Sequence, residues 1–126
     1  MDARAFEGTW RLLPERSTFE LGGAPRSGTY RIAAMPGGLA FFLDFVDHLG
    51  ADRHIEFRLT WDSDVPASLE LVDENTLNTT IERDERVVAH ATRILSAEGT
   101  QMEIVERGIA PDGTPFVNRA AYQREG

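Results

Sequence analysis

The sequence predicts an all-β fold, an antiparallel up-and-down meander of about nine to ten strands closed into a barrel, and three observations carry that expectation. From Gly8 onward apolar residues recur at every second position rather than every third or fourth, which is the rhythm of strands that bury one face. The links between these stretches are brief, whereas a parallel pairing needs a crossover of roughly a dozen residues or more, so neighbouring strands are expected to run antiparallel. Only Pro14 to Glu20 could open a helix, and Leu21-Gly22-Gly23-Ala24-Pro25 soon ends it, leaving at most one short helical turn after the first strand. A sheet with one apolar face and no helical layer must pack on itself.

In order, the first strand is expected over Gly8 to Leu13 and the second over Ser27 to Ala34, where Tyr30, Ile32 and Ala34 share a face. Leu39 to Asp47 is the third, with Leu39, Phe41, Leu43 and Phe45 on one side and Phe42 and Val46 on the other. Arg53 to Trp61 alternates most cleanly, Ile55, Phe57, Leu59 and Trp61 against His54, Glu56, Arg58 and Thr60. Ala67 to Val72, Thr76 to Arg83, Arg86 to Leu95, Thr100 to Arg107 and Pro115 to Arg124 complete the set. Glu98-Gly99 and Asp112-Gly113 put glycine where a tight hairpin uses positive φ.

The 126 residues make one domain, 41% hydrophobic and 27% charged, an ordinary globular mixture. The net charge of −8 disfavours nucleic acid and anionic lipid surfaces. Cysteine is absent and all 13 cations are arginine, which removes disulfides, thiolate chemistry, Schiff bases and P-loops. The N-terminus carries no export-like apolar run, and no window reaches the roughly 20 apolar residues of a membrane span, so a cytoplasmic location without a membrane partner is expected.

Phe6-Glu7-Gly8-Thr9-Trp10-Arg11-Leu12 resembles the opening of the calycins, the superfamily of lipocalins and intracellular fatty-acid-binding proteins. A small bacterial lipocalin-like family of unassigned function is similar over more of the chain, through Gly8 to Leu12, Pro14 to Phe19, Val46 to Gly50, Asp73 to Leu77 and Arg93 to Gly99 in that order. The resemblance implies a barrel whose floor is plugged by Trp10 and whose interior takes a small guest. It does not extend to the fatty-acid carboxylate site: Arg119-Ala120-Ala121-Tyr122 puts arginine and tyrosine on opposite faces. The 13 residues from Pro14 to Arg26 are also too few and too glycine-rich for the helical lid.

The chemistry-bearing candidates are few. His48 lies in a turn and His54 on a polar face, while His90 shares a face with Val88, Thr92 and Ile94 and is read as a polar group in the cavity, a general base or a core histidine. No converging ligand set suggests a metal or other cofactor, Asp62-Ser63-Asp64 reads as a hairpin, and Glu82 to Arg86 reads as a solvated turn. No nucleophile elbow, dinucleotide fingerprint or zinc-protease motif occurs. The expected ligand-contacting set is Trp10, Tyr30, Phe41, Phe45, Phe57 and Leu59 for apolar surface, with Thr79, His90, Arg93, Asn118 and Tyr122 to orient a guest. An arginine inside a barrel is costly unless partnered, so Arg93 hints at an anionic or carbonyl ligand.

The leading expectation is non-catalytic binding of a small apolar or amphipathic molecule. The alternatives are an enzyme using His90 or Arg93 with a carboxylate, and an interaction module with a filled core, paired as a homodimer through Phe42 and Val46.

Overall fold

The two-residue rhythm becomes strand at nearly every expected position. A computed structural model describes residues 3–61, 67–83 and 86–125, the side chains of 67 and 81–89 excepted. The Asp62-Ser63-Asp64 turn, the Asp84-Glu85 hairpin tip and the side chain of Val88 lie outside the described residues. The strands are β1 (Gly8–Leu12), β2 (Thr18–Phe19), β3 (Ser27–Met35), β4 (Gly38–Val46) and β5 (Asp52–Thr60). They continue as β6 (Ala67–Asp73), β7 (Thr76–Arg83), β8 (Arg86–Leu95), β9 (Gln101–Ile109) and β10 (Pro115–Arg124). Because β1 pairs with both β3 and β10, nine strands close into a barrel and β2 adds a tenth strand along β10.

Two details depart from the sequence expectation. The expected short helical turn after the first strand is present as a 3-10 turn, Pro14–Arg16, but an unexpected second one at Arg4–Phe6 precedes β1. After Pro14–Arg16 the chain returns to the edge of β10 it has just left: Leu12 pairs with Tyr122, and Phe19 with Asn118. Ser17 bridges the break, its hydroxyl donating to Leu13 O at 2.9 Å and accepting from Ala121 N at 3.1 Å. The second departure is a correction. The β5–β6 contact is a single parallel bridge, Thr60 to Ser68, where an antiparallel ladder was expected. A short link dictates direction only for strands that build a ladder, and a one-residue touch between oblique strands escapes that constraint. Elsewhere the described ladders are antiparallel.

The barrel is filled at one end. Phe6, Trp10, Phe41, Leu59, Leu77 and Met102 are fully buried there, the packing of a small barrel plugged by its own side chains. Trp10 Nε1 donates to Phe6 O at 3.0 Å. Arg124 lays its guanidinium 4.2 Å from the indole centroid and donates to Glu7 O at 2.7 Å, Gly99 O at 3.0 Å and Ala5 O. The last strand therefore grips the 3-10 turn that closes the floor. Gly8 (φ +130°) makes room for the grip, since a Cβ there would stand 2.6 Å from Arg124 Nη1. The predicted hairpin glycine at Gly113 likewise takes a positive φ, 88°.

Candidate ligand-binding site

Toward the other end the barrel is hollow, with a cavity of about 550 Å³, within the usual range for a small-molecule site. The hollow follows from residue size on four adjacent strands, β7 to β10. Cross-strand pairing aligns Thr79, Ala91, Glu106 and Asn118 in one row and Leu77, Arg93, Ile104 and Ala120 in the next. Ala91 and Ala120 place methyl groups where larger side chains would meet in the middle. Leu12, Tyr30, Leu43, Phe45 and Phe57 supply an apolar wall opposite. The mouth is rimmed by Leu21 and Ile55, 40% and 45% exposed.

A strap over residues 20–26 crosses this mouth, held at its end by Arg26 N donating to Val46 O at 2.8 Å and at its start by Asn118. Asn118 Oδ1 accepts from Glu20 N at 2.9 Å and Leu21 N at 3.1 Å. Glu20 reciprocates through its carboxylate, which accepts from Val117 N at 2.7 Å. Asn118 thus satisfies two backbone donors that no ladder reaches.

Arg93 is the most buried charged side chain among the described residues, 4% exposed. Its Nη1 donates to Thr79 Oγ1 at 2.8 Å and its Nη2 to the Tyr30 hydroxyl at 2.7 Å, while Nε is buried with no partner. The guanidinium carbon lies 4.9 Å from the Phe41 ring centroid and 5.7 Å from that of Tyr30, a cation–π setting that offsets part of the lost hydration. Burial pushes the Glu106 carboxyl above the ordinary 4.5, against the opposing pull of Arg93 and a hydrogen bond from Asn118. Burial likewise raises the Tyr122 hydroxyl. The sign for Glu106 is that of a group raised in the folded state: stability is complete below the unfolded value and is lost as pH rises through the folded one. The melting temperature of Glu106→Gln relative to the wild type should therefore be flat below pH 4.5 and climb above it, read by thermal melts across a pH series.

Of the eleven sequence-selected residues, the structure brings Tyr30, Phe45, Phe57, Thr79, Arg93, Asn118 and Tyr122 to the cavity wall. Trp10, Phe41 and Leu59 are buried but belong to the filled end. His90 is a correction: it is exposed on the outer wall, its Nδ1 3.3 Å from Thr80 Oγ1, because β8 turns Ala91, Arg93 and Leu95 inward instead. The His90-based catalytic alternative loses its geometry with it. Glu106 escaped the sequence reading, although it stands two and four positions after Ile104 and Met102, both buried.

On the outside, His54 lies 2.6 Å from Asp44 and 3.2 Å from Glu56 through its two ring nitrogens, and these contacts raise its pKa on an exposed face. Arg31 stacks 4.1 Å over Phe42, so the ring read as a dimer seam already has cover from its own chain. Arg119 is exposed and ion-pairs with Glu103 at 3.6 Å while Tyr122 faces inward, the opposed placement that alternation predicts. Among the described residues no cluster of His, Asp and Glu could hold a metal ion, and no helix is long and apolar enough to cross a membrane.

A closed antiparallel barrel with a tryptophan-plugged floor and a one-ended cavity is a calycin-like fold. Two solved structures are similar to it in fold. One is the siderocalin Ex-FABP, described as functioning through dual ligand specificities, at 12% identity and a TM-score of 0.51 over 96% of this chain and 71% of that one. The other is zebrafish ileal bile acid-binding protein complexed with cholic acid, at 10% identity and a TM-score of 0.52 over 96% of this chain and 99% of that one. No protein-family model and no curated protein matches the sequence.

Proposed function

We propose that this chain binds a small apolar or amphipathic molecule in its barrel and does not transform it. The observation that carries the reading is the 550 Å³ hollow with apolar walls and its few polar groups gathered around Arg93, Glu106 and Asn118. Burying a guest's apolar surface contributes roughly 25 cal/mol per Å² before ordering costs, and the polar end sets orientation. Support also comes from the two structural neighbours, one holding cholic acid and one described by its ligand specificities.

The test is to fill the hollow. Ala91 lines the cavity and is only partly buried, so Ala91→Trp projects a ring into the space where a guest would lie. Native mass spectrometry against a panel of medium-chain and steroidal amphiphiles should show one-to-one complexes for the wild type and none for Ala91→Trp, with the variant still folded by circular dichroism. The overpacking cost should stay within about 1–3 kcal/mol. Retention of the same ligands by Ala91→Trp would place binding elsewhere.

A further inference from the structure

Resting on the binding reading above, the cavity holds a feature that narrows what it accepts. Arg93 and Glu106 face the same hollow but do not pair. The register sets Ala91 directly between Thr79 and Glu106, and Arg93, two residues along β8, is diagonal to both, at the roughly 7–8 Å spacing of such neighbours. Its guanidinium turns toward Thr79 and Tyr30. Nε is left buried without an acceptor, and among the described residues Glu106 forms no ion pair, its carboxyl having the Asn118 side chain as a polar neighbour. A guanidinium with N–H hydrogens beyond the two given to Thr79 and Tyr30, and an acid able to accept a further hydrogen, both line the hollow beside the alanine-sized notch at Ala91.

We propose that Arg93 and Glu106 together select an uncharged head group bearing both a hydrogen-bond acceptor and a donor, such as a primary carboxamide, and that an anionic head enters only with a proton placed on Glu106. A carbonyl oxygen answers the Arg93 guanidinium and the amide N–H donates to Glu106. A carboxylate answers Arg93 equally well but sets a second negative charge beside Glu106 in a low-dielectric space, which is unfavourable until one of the two acids is neutral. The proton comes from solvent and ends on Glu106, so one proton is taken up per anion bound.

The charged and titratable groups lining the same cavity are Arg93 of β8, Tyr30 of β3, Tyr122 of β10 and Asp47 after β4. Asp47 is committed to Arg53 and to the backbone N–H groups of Leu49 and Ala51 at the mouth. The Tyr30 hydroxyl is engaged by Arg93 Nη2, and burial raises the Tyr122 hydroxyl well above the ordinary tyrosine range. The strap contributes Glu20, whose carboxylate is held by Val117 N. Glu106 is thus the group in the chamber positioned to take up the proton.

The probes are decanamide and decanoate, which share a chain and differ in charge, titrated calorimetrically into the full chain in buffers of different ionisation enthalpy between about pH 6 and about pH 8, where decanoate remains ionised. Wild-type protein should bind decanamide with a pH-independent affinity. Decanoate should take up about one proton and weaken by roughly tenfold per pH unit once Glu106 is ionised. In Glu106→Gln the proton uptake should vanish, and decanoate should bind at least about tenfold tighter than to the wild type near pH 8, with thermal melts confirming that the variant is folded. Decanoate bound by the wild type without proton uptake, and no tighter in Glu106→Gln, overturns the selectivity while decanamide binding leaves the cavity reading standing. Heat from neither probe in either protein removes both.

Discussion

Trp10→Ala should destabilise the protein by about 3–5 kcal/mol, the range for truncating a large buried aromatic, and lower its melting temperature by roughly 10–20 °C. Trp10 is 0% exposed, and its loss removes three things together: the plug of the filled end, the N–H bond to Phe6 O and the aromatic face beneath Arg124. The guanidinium keeps its carbonyl acceptors on Glu7 and Gly99, but it then spans a void instead of a ring. The cavity term adds to the transfer term because the closing 3-10 turn, Arg4–Phe6, is tied to that ring and cannot collapse freely into the space. Guanidinium chloride unfolding followed by far-ultraviolet circular dichroism measures the loss. A decrease below about 1 kcal/mol would mean that the floor is held by Phe6 and Met102 without the indole.

The strands were legible because sided alternation is a direct consequence of burying one face, and it survives wherever the inward residues are large. It fails on β8. There the inward residues are Ala91, Arg93 and Leu95, while Ile94 on the outside is 41% exposed, so the hollow itself makes the inner face less apolar than the outer. That inversion placed His90 inside. Glu106 was lost for a related reason: it sits in Glu103 to Arg107, a charged stretch that reads as solvent-facing unless Met102 and Ile104 are followed two positions further. Periodicity also reports face and not depth. Trp10, Phe41 and Leu59 share the inward face with Tyr30, Phe45 and Phe57, yet the first three fill the floor, and the difference is position along the barrel axis, which only strand register decides. β2 is two residues long and pairs only by returning to an edge β1 has vacated, an event with no local sequence signal.

Arg93→Met is expected to separate binding from folding. The arginine is a nearly fully buried cation that forms no ion pair among the described residues, and its Nε lacks an acceptor. Charges buried under such terms are replaced by apolar side chains of similar volume at little cost, and sometimes with a gain. Methionine follows the arginine stem and keeps contact with Phe41, while Thr79 still reaches Ala91 O at 3.4 Å. Stability should therefore stay within about 1 kcal/mol of the wild type or rise. The guest would lose its charged donor, and hydrogen bonds to charged groups are worth about 1.5–3 kcal/mol, so affinity for decanamide should fall by roughly 10- to 100-fold. Calorimetric titration beside a denaturant melt reads both quantities on one sample. Equal losses in the two would make Arg93 a packing residue of the core; unchanged affinity with unchanged stability would move the polar end of the guest away from it. The combination of a large affinity loss and an intact fold is what a residue held at an energetic cost for the sake of its ligand must give.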